Sequence, residues 1–443
     1  MERDNFDERH YSAALAVNGA EAVNAAILAF SELGYRQNFG IIAGRSVNLD
    51  YGISENYLPV RIVHHSRHLN RFISGRETQL PLLHAVSLMS GRTERKVKEA
   101  RGGSLTDRQL IFELVSSLEK NETGRAEGII VELVSRGMFE ELMGVLRDEA
   151  VRRYSYMFPA FILWNAVRCI VSDVPAYEGG SLSLLRCLSA STVSDEYISV
   201  RKAIGRKELK LHNVLENSYV PDEKVDWKII SALRSGIPEL ALNMLLEKIS
   251  DGMSQNHILS LVFREILAQS LNSDRKALFE HLIQNCSSMI EVNISGNDRS
   301  EISVYELLLT ASHLAQISVA HPLQRPSSEG NDGLNDALLV IESALSEKTG
   351  SILPAKHNTL SNQRIAEFLV MASIKCDQLK NFSEALCHCS SVLSAGEVLG
   401  GGNVAKYAID ESADYLSKLF LIGGRYATSI YDRFGSFSES DSH

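Results

Sequence analysis

The sequence has few of the features that usually mark a membrane protein, an exported protein or a nucleotide enzyme. No run of about 18 apolar residues occurs. The charged start MERDNFDERHYS has no apolar stretch after it, so neither a membrane span nor a secretory leader is expected. The 45 Lys and Arg are outnumbered by 55 Asp and Glu, a net charge of −10. With no dense basic run to offset that field, phosphate backbones are repelled and nucleic acid is not an expected partner. The 6 cysteines are scattered along 443 residues, which argues against a disulfide framework and for a reduced, cytoplasmic protein. Cys387 and Cys389 flank His388, but a C-H-C triplet spreads over different helix faces and matches no zinc spacing. Also missing are a G-x-G-x-x-G after a strand, a Walker A sequence, a G-x-S-x-G elbow, a C-x-x-C pair, an H-E-x-x-H and paired E-x-x-H motifs. Any enzyme built on this chain therefore works through side chains, a metal or a bound organic cofactor in a helical cavity.

What is present is helical periodicity. With 44% apolar and 23% charged residues the chain is ordinary globular material. Sets such as Ala22, Ala25, Ala26 and Ala29, or Leu242, Leu245, Leu246 and Ile249, recur at helix spacing and predict an all-α fold. The 9 prolines include Pro59, Pro81, Pro159 and Pro238, placed where helices begin. Gly34, Gly75, Gly91, Gly137, Gly236 and Gly252 stand where helices end. Loops are expected at 37–56, 101–107, 173–180 and 322–333. Residues 110–169 align without gaps on 225–284, an offset of 115, which predicts an internally duplicated bundle of short antiparallel helices whose two copies bury faces against each other. The expected organisation is an N-terminal helical module (1–103), two repeats (104–219 and 220–325), a C-terminal helical module (334–434) and a disordered tail (435–443).

The densest polar stretch is 57–91. On a helix His65 and His68 share a face with Arg61, while His64 points about 100° away. Arg67 and Arg71 lie alongside, and a second helix from Pro81 carries His84. Imidazoles in this number suit a metal or general acid–base site. The competing reading is a solvated basic face, with His84 a buried histidine bonded to backbone. His313, on an apolar helix, reads as core. A second candidate comes from the alignment of the copies, where Trp164 falls on Phe279, Asn165 on Glu280 and Ala166 on His281. These helices, 158–170 and 273–286, are expected to wall a cavity between the repeats, with polar groups that need partners once buried.

The stretches VHHSRHLNRFISGRETQLPLLHAVSLMSG, FPAFILWNAVRCI, DWKIISALRSGIPELALNMLLEKISDG, LFEHLIQNC and LLLTASHLAQISVAHPLQR resemble, in that order, the questin oxidase-like family. They are similar also to the helical domain that accompanies bacterial Rieske proteins. The resemblance spans roughly residues 10–325 at the level of fold. It implies a Baeyer–Villiger-type oxygenase of polyketide tailoring that uses NADPH without an obvious flavin motif, with pocket histidines matched here by His64 or His65, by His68 and by His281. The chain departs from the family at Phe158-Pro159, where His-Pro is expected, and has no Rieske ligand pair. The resulting expectation is an oxygenase-like enzyme acting on a hydrophobic small molecule. His65, His68, His84, His281 and Glu280 are its catalytic candidates; Arg61, Arg67, Trp164, Asn165 and Phe279 are its binding candidates; NADPH or a histidine-bound metal is its cofactor. The alternative is a non-enzymatic helical-repeat scaffold that binds a partner protein.

Overall fold

The computed structural model describes residues 19–51, 57–70, 78–95, 105–154, 160–205, 223–270, 276–294, 301–318, 387 and 390–391. Within them the fold is all-α: α1 (Gly19–Asn48), α2 (Leu58–Leu69), α3 (Leu80–Met89), α4 (Asp107–Glu119), α5 (Thr123–Ser135), α6 (Phe139–Arg152), α7 (Ala160–Asp173), α8 (Tyr177–Ser189), α9 (Asp195–Gly205), α10 (Glu223–Leu233), α11 (Pro238–Ser250), α12 (Gln255–Ser270), α13 (Lys276–Ile294) and α14 (Glu301–Ile317). The one β pairing among the described residues is an isolated bridge between Leu49 and Glu94. No helix among them is long and apolar enough to cross a membrane.

Local chemistry sets the helix ends. Pro59, Pro81 and Pro238 occupy first-turn positions, where a missing N–H has no consequence. Thr106 and Gln109 cap α4 reciprocally, each side chain bonded to the other's backbone N–H. Helices α5 and α11 both close on a glycine in the left-handed region, Gly137 (φ 75) and Gly252 (φ 90). The next residue's N–H then reaches back to Leu133 O (3.0 Å) and to Lys248 O (2.9 Å). The starts of α5 and α11 and these two glycines keep the 115-residue offset. So do the positive-φ residues Asn121 and Gly236.

Two expected loops are corrected. Residues 37–48 are helix, not loop, because α1 resumes after turning at Gly34 (φ 76, ψ 173). Phe39, Ile42, Ala43 and Val47 give the second arm a buried face, which outweighs the helix-weakening Gly40 and Gly44. The turn is sharp: Asn38 Nδ2 donates to Ala26 O at 3.1 Å, although a straight helix would separate twelve residues by about 18 Å. The 173–180 connector shrinks to 174–176, with Gly179 and Gly180 inside α8. Both glycines serve close packing. A Cβ on Gly180 would lie 2.7 Å from Val167 Cγ1, and one on Gly179 would lie 1.8 Å from Asn48 Oδ1. The 322–333 linker, Gly75, Pro159, and all of the C-terminal module and tail except residues 387, 390 and 391 lie outside the described residues.

Helix α7 holds the centre, packing on α1, α2, α6, α8 and α13. The first half (α1 to α8) meets the second chiefly through α7 against α13 and α6 against α14. Buried polar ties cross that junction. Arg147 and Glu306 form a two-pronged ion pair at 3.0 and 3.1 Å. Tyr154 Oη, in turn, meets Thr310 Oγ1 at 3.0 Å and accepts from Asn285 Nδ2 at 3.1 Å. His313 is buried beside the Tyr154 ring, as its apolar helix predicts.

Candidate metal centre

Helix α2 is basic in sequence yet buried almost all round. Arg61, His64, His65 and His68 have relative exposures of 0, 3, 5 and 7%, which rules out a solvated basic face. Flanking Val60, Ile62 and Val63 are equally buried, so the apolar positions carry the polar ones inside. Ionisable groups in such a place need compensation from nearby charge or hydrogen bonds.

Compensation comes from α13. Glu291 stands between two histidines, with His64 Nε2 3.2 Å from Oε2 and His68 Nε2 3.2 Å from Oε1. Helix α7 adds two donors. Asn165 Nδ2 donates to Oε2 at 2.7 Å, and the Cys169 thiol donates to Oε1 at 3.5 Å. Three helices thus converge on one carboxylate. Burial pushes the Glu291 pKa up, but bonds and attraction from His64 and His68 outweigh it and hold the carboxyl well below its usual range. Burial lowers the His64 pKa despite the pull of Glu291, favouring neutral imidazole. The Cys169 thiol, desolvated and beside a carboxylate, is pushed up to about 12 and stays protonated at neutral pH.

The ligand-capable atoms of His64, His68 and Glu291 all lie within 4.8 Å of one another. For metal–ligand bonds of about 2.1 Å, ligand atoms stand about 3.0 to 3.4 Å apart around an ion, and the 3.2 Å separations fall in that interval. A neutral His64 and an ionised Glu291 are also the states that ligation requires of these two groups. These residues therefore fit a divalent transition ion, with Cys169 and Asn165 at its edge.

The arrangement corrects the face assignment made from sequence. His64 and His68, four apart, share the carboxylate, while His65 turns its Nδ1 to Ser390 Oγ at 3.1 Å. Of the other expected residues, Asn165 is in the cluster. Arg61 lies one turn away and donates to Gln284 Oε1. Arg67 instead ties α2 to the end of α7, through Cys169 O at 2.6 Å and Asp173 at 3.0 Å. Trp164 is held by packing: Arg147 and Arg168 stand over its ring at 5.0 and 5.5 Å, and its Nε1 donates to Met143 O at 2.9 Å. His84 is buried on α3 outside the ligand group. Phe279 and His281 share α13 with Glu291 but precede it by about 18 and 15 Å of helix, and neither belongs to the ligand group. The side chain of Glu280 lies outside the described residues. Sequence reasoning named His64 only as an alternative to His65 and set it on another helix face, and it missed Glu291 and Cys169. The available signals were the i, i+4 spacing within HHSRH and a lone carboxylate in the small and apolar run CSSMIEVNI.

Compared with known proteins, the chain matches no family model, no curated protein and no solved structure, which leaves its chemistry to be argued from its own residues.

Proposed function

We propose that this protein is a metal-dependent, oxygenase-like enzyme acting on a hydrophobic organic molecule, with a divalent ion held by His64, His68 and Glu291. The observation that carries the reading is a set of two buried histidines and one partly exposed carboxylate where three helices meet. Three protein donors leave coordination positions open, and this donor set suits non-haem Fe(II) oxygenases. A bound ion would supply the site for oxygen chemistry. The chain's own residues orient it: Asn165 and Cys169 fix Glu291, and the packing around α2 shields His64 and His68 from water. In such a reaction one oxygen atom enters the substrate and the other leaves as water. The two electrons needed come, in this reading, from NADPH, as the family resemblance implies.

The scaffold alternative draws on exposed aromatics, Phe112 at 72% and Trp227 at 40% exposure, which also stand 115 apart. A docking face, however, has no use for a buried, charge-compensated histidine pair, so the enzyme reading is preferred.

Metal titration of the purified protein tests the proposal. Under anaerobic conditions, one equivalent of Fe(II), or of Co(II) as a spectroscopic substitute, should bind. Glu291→Gln and His68→Ala should each weaken binding by more than about tenfold while the protein stays helical by circular dichroism. If wild type takes up neither ion, the cluster is a hydrogen-bonded strut between helices and the enzyme reading falls with it.

A further inference from the structure

Next to the candidate metal centre lies a second buried polar group. Arg61 is fully buried, Gln284 is 1% exposed and His65 is 5% exposed. The Arg61 guanidinium donates to Gln284 Oε1, which fixes the amide: turned over, its NH2 would face the guanidinium, donor against donor. Gln284 Nε2 is thereby aimed away from Arg61, and it is buried with no hydrogen-bond partner. The same holds for His65 Nε2, on the ring whose Nδ1 is engaged by Ser390. Arg61 and His65 are one turn apart on one face of α2. Two orphaned polar atoms beside a buried cation call for a ligand, because native interiors seldom leave such groups unmet.

We propose that Arg61, Gln284 and His65 form a carboxylate-binding subsite beside the metal centre. It takes the anionic end of an organic acid. The guanidinium supplies charge and a planar fork, and the Gln284 amide supplies a directed N–H. His65 Nε2 supplies a third contact. It donates, as a carboxylate requires, when the Ser390 hydroxyl turns to Nδ1 at 3.1 Å and leaves the proton on Nε2. This deepens the enzyme reading by naming the polar end of its substrate, and it rests on that reading for its functional meaning but not for the binding itself. The His65 ring lies 5.1 Å from that of His64 and 6.2 Å from that of His68, centre to centre, so the subsite adjoins the ligand group.

The test uses full-length protein without added metal, titrated with fluorobenzoate and followed by fluorine NMR. Wild type should bind it saturably, and the neutral fluorobenzamide should bind at least about tenfold more weakly, having lost the charge-assisted bonds. Gln284→Glu keeps the acceptor for Arg61 but replaces the free N–H with a negative oxygen. It should weaken fluorobenzoate by at least about tenfold. Should that variant not fold, Arg61→Lys, which keeps the charge and loses the fork, is expected to show the same loss. Formate is the second arm. If formate binds as well as fluorobenzoate, the ligand is a small free acid; if binding needs the ring, it is the carboxylate of an apolar substrate. Equal binding of acid and amide, undiminished binding in the folded variant, or no binding by wild type overturns the subsite. Glu291→Gln separates the two proposals, since it should abolish metal uptake and leave fluorobenzoate binding in place.

Discussion

Burial keeps His84 neutral. Desolvation drives its pKa from 6.5 to about 3, so the folded protein keeps a neutral ring at a pH where the unfolded chain has already taken a proton. The stability this represents is complete above about pH 6.5 and drains away as pH falls toward 3, at up to about 1.4 kcal/mol per unit. Wild type should therefore lose about 2 kcal/mol more than His84→Leu on going from about pH 7 to about pH 5, as read from urea melts. Equal losses would mean that His84 titrates normally. Individual residues of α2 were only partly legible in the sequence. The spacing HHSRH offers both an i, i+3 pair and an i, i+4 pair, and nothing within α2 selects between them. Selection comes from Glu291, more than 220 positions later, whose two oxygens lie opposite His64 and His68.

Glycines do two distinct jobs in the helices, and the two should respond differently to a methyl group. Gly137 has nothing within 4 Å of where a Cβ would stand, but its φ is +75. Gly137→Ala should thus cost about 1 kcal/mol of backbone strain and leave the candidate site alone. Gly180 sits inside α8 with Val167 Cγ1 at 2.7 Å and Val171 Cγ1 at 3.2 Å from a would-be Cβ. Gly180→Ala should cost about 1 to 3 kcal/mol by overpacking. It should also push α7 aside, carrying Asn165 and Cys169 off Glu291 and weakening metal uptake. Thermal melts paired with metal titration separate the two, and unchanged uptake in Gly180→Ala would show that α7 is not what positions the carboxylate. Helix ends at Pro59, Pro81, Pro238, Gly137 and Gly252 could be read from sequence because caps are local chemistry. The second arm of α1 could not, because its helicity depends on what Phe39, Ile42 and Val47 pack against. Gly179 and Gly180 looked like a loop for the same reason: crowding by a neighbouring helix leaves no trace in local sequence.

Across the whole molecule, the Arg147–Glu306 pair pins α6 to α14, with side-chain exposures of 7 and 1%. Burial raises the Glu306 pKa to about 7 against the pull of Arg147, so the carboxyl depends on that one guanidinium for its charge. Glu306→Ala should cost about 3 to 5 kcal/mol by removing the carboxylate that a buried guanidinium faces, whereas an apolar pair such as Arg147→Met with Glu306→Leu should recover most of it. Denaturant melts of the single and double variants check this, and additive losses would show that the two side chains do not act as a unit. The residues that enclose His65 lie farther away still. Ser390 meets it across 325 positions, and Ser287 Oγ donates to Ser391 O at 3.0 Å. During synthesis, then, His64, His68 and Glu291 have all been made well before Ser390 emerges. His65 is thus covered on this side only at the end of synthesis, and a nascent chain stopped short of residue 387 should leave its imidazole open to a modifying reagent that the completed protein excludes.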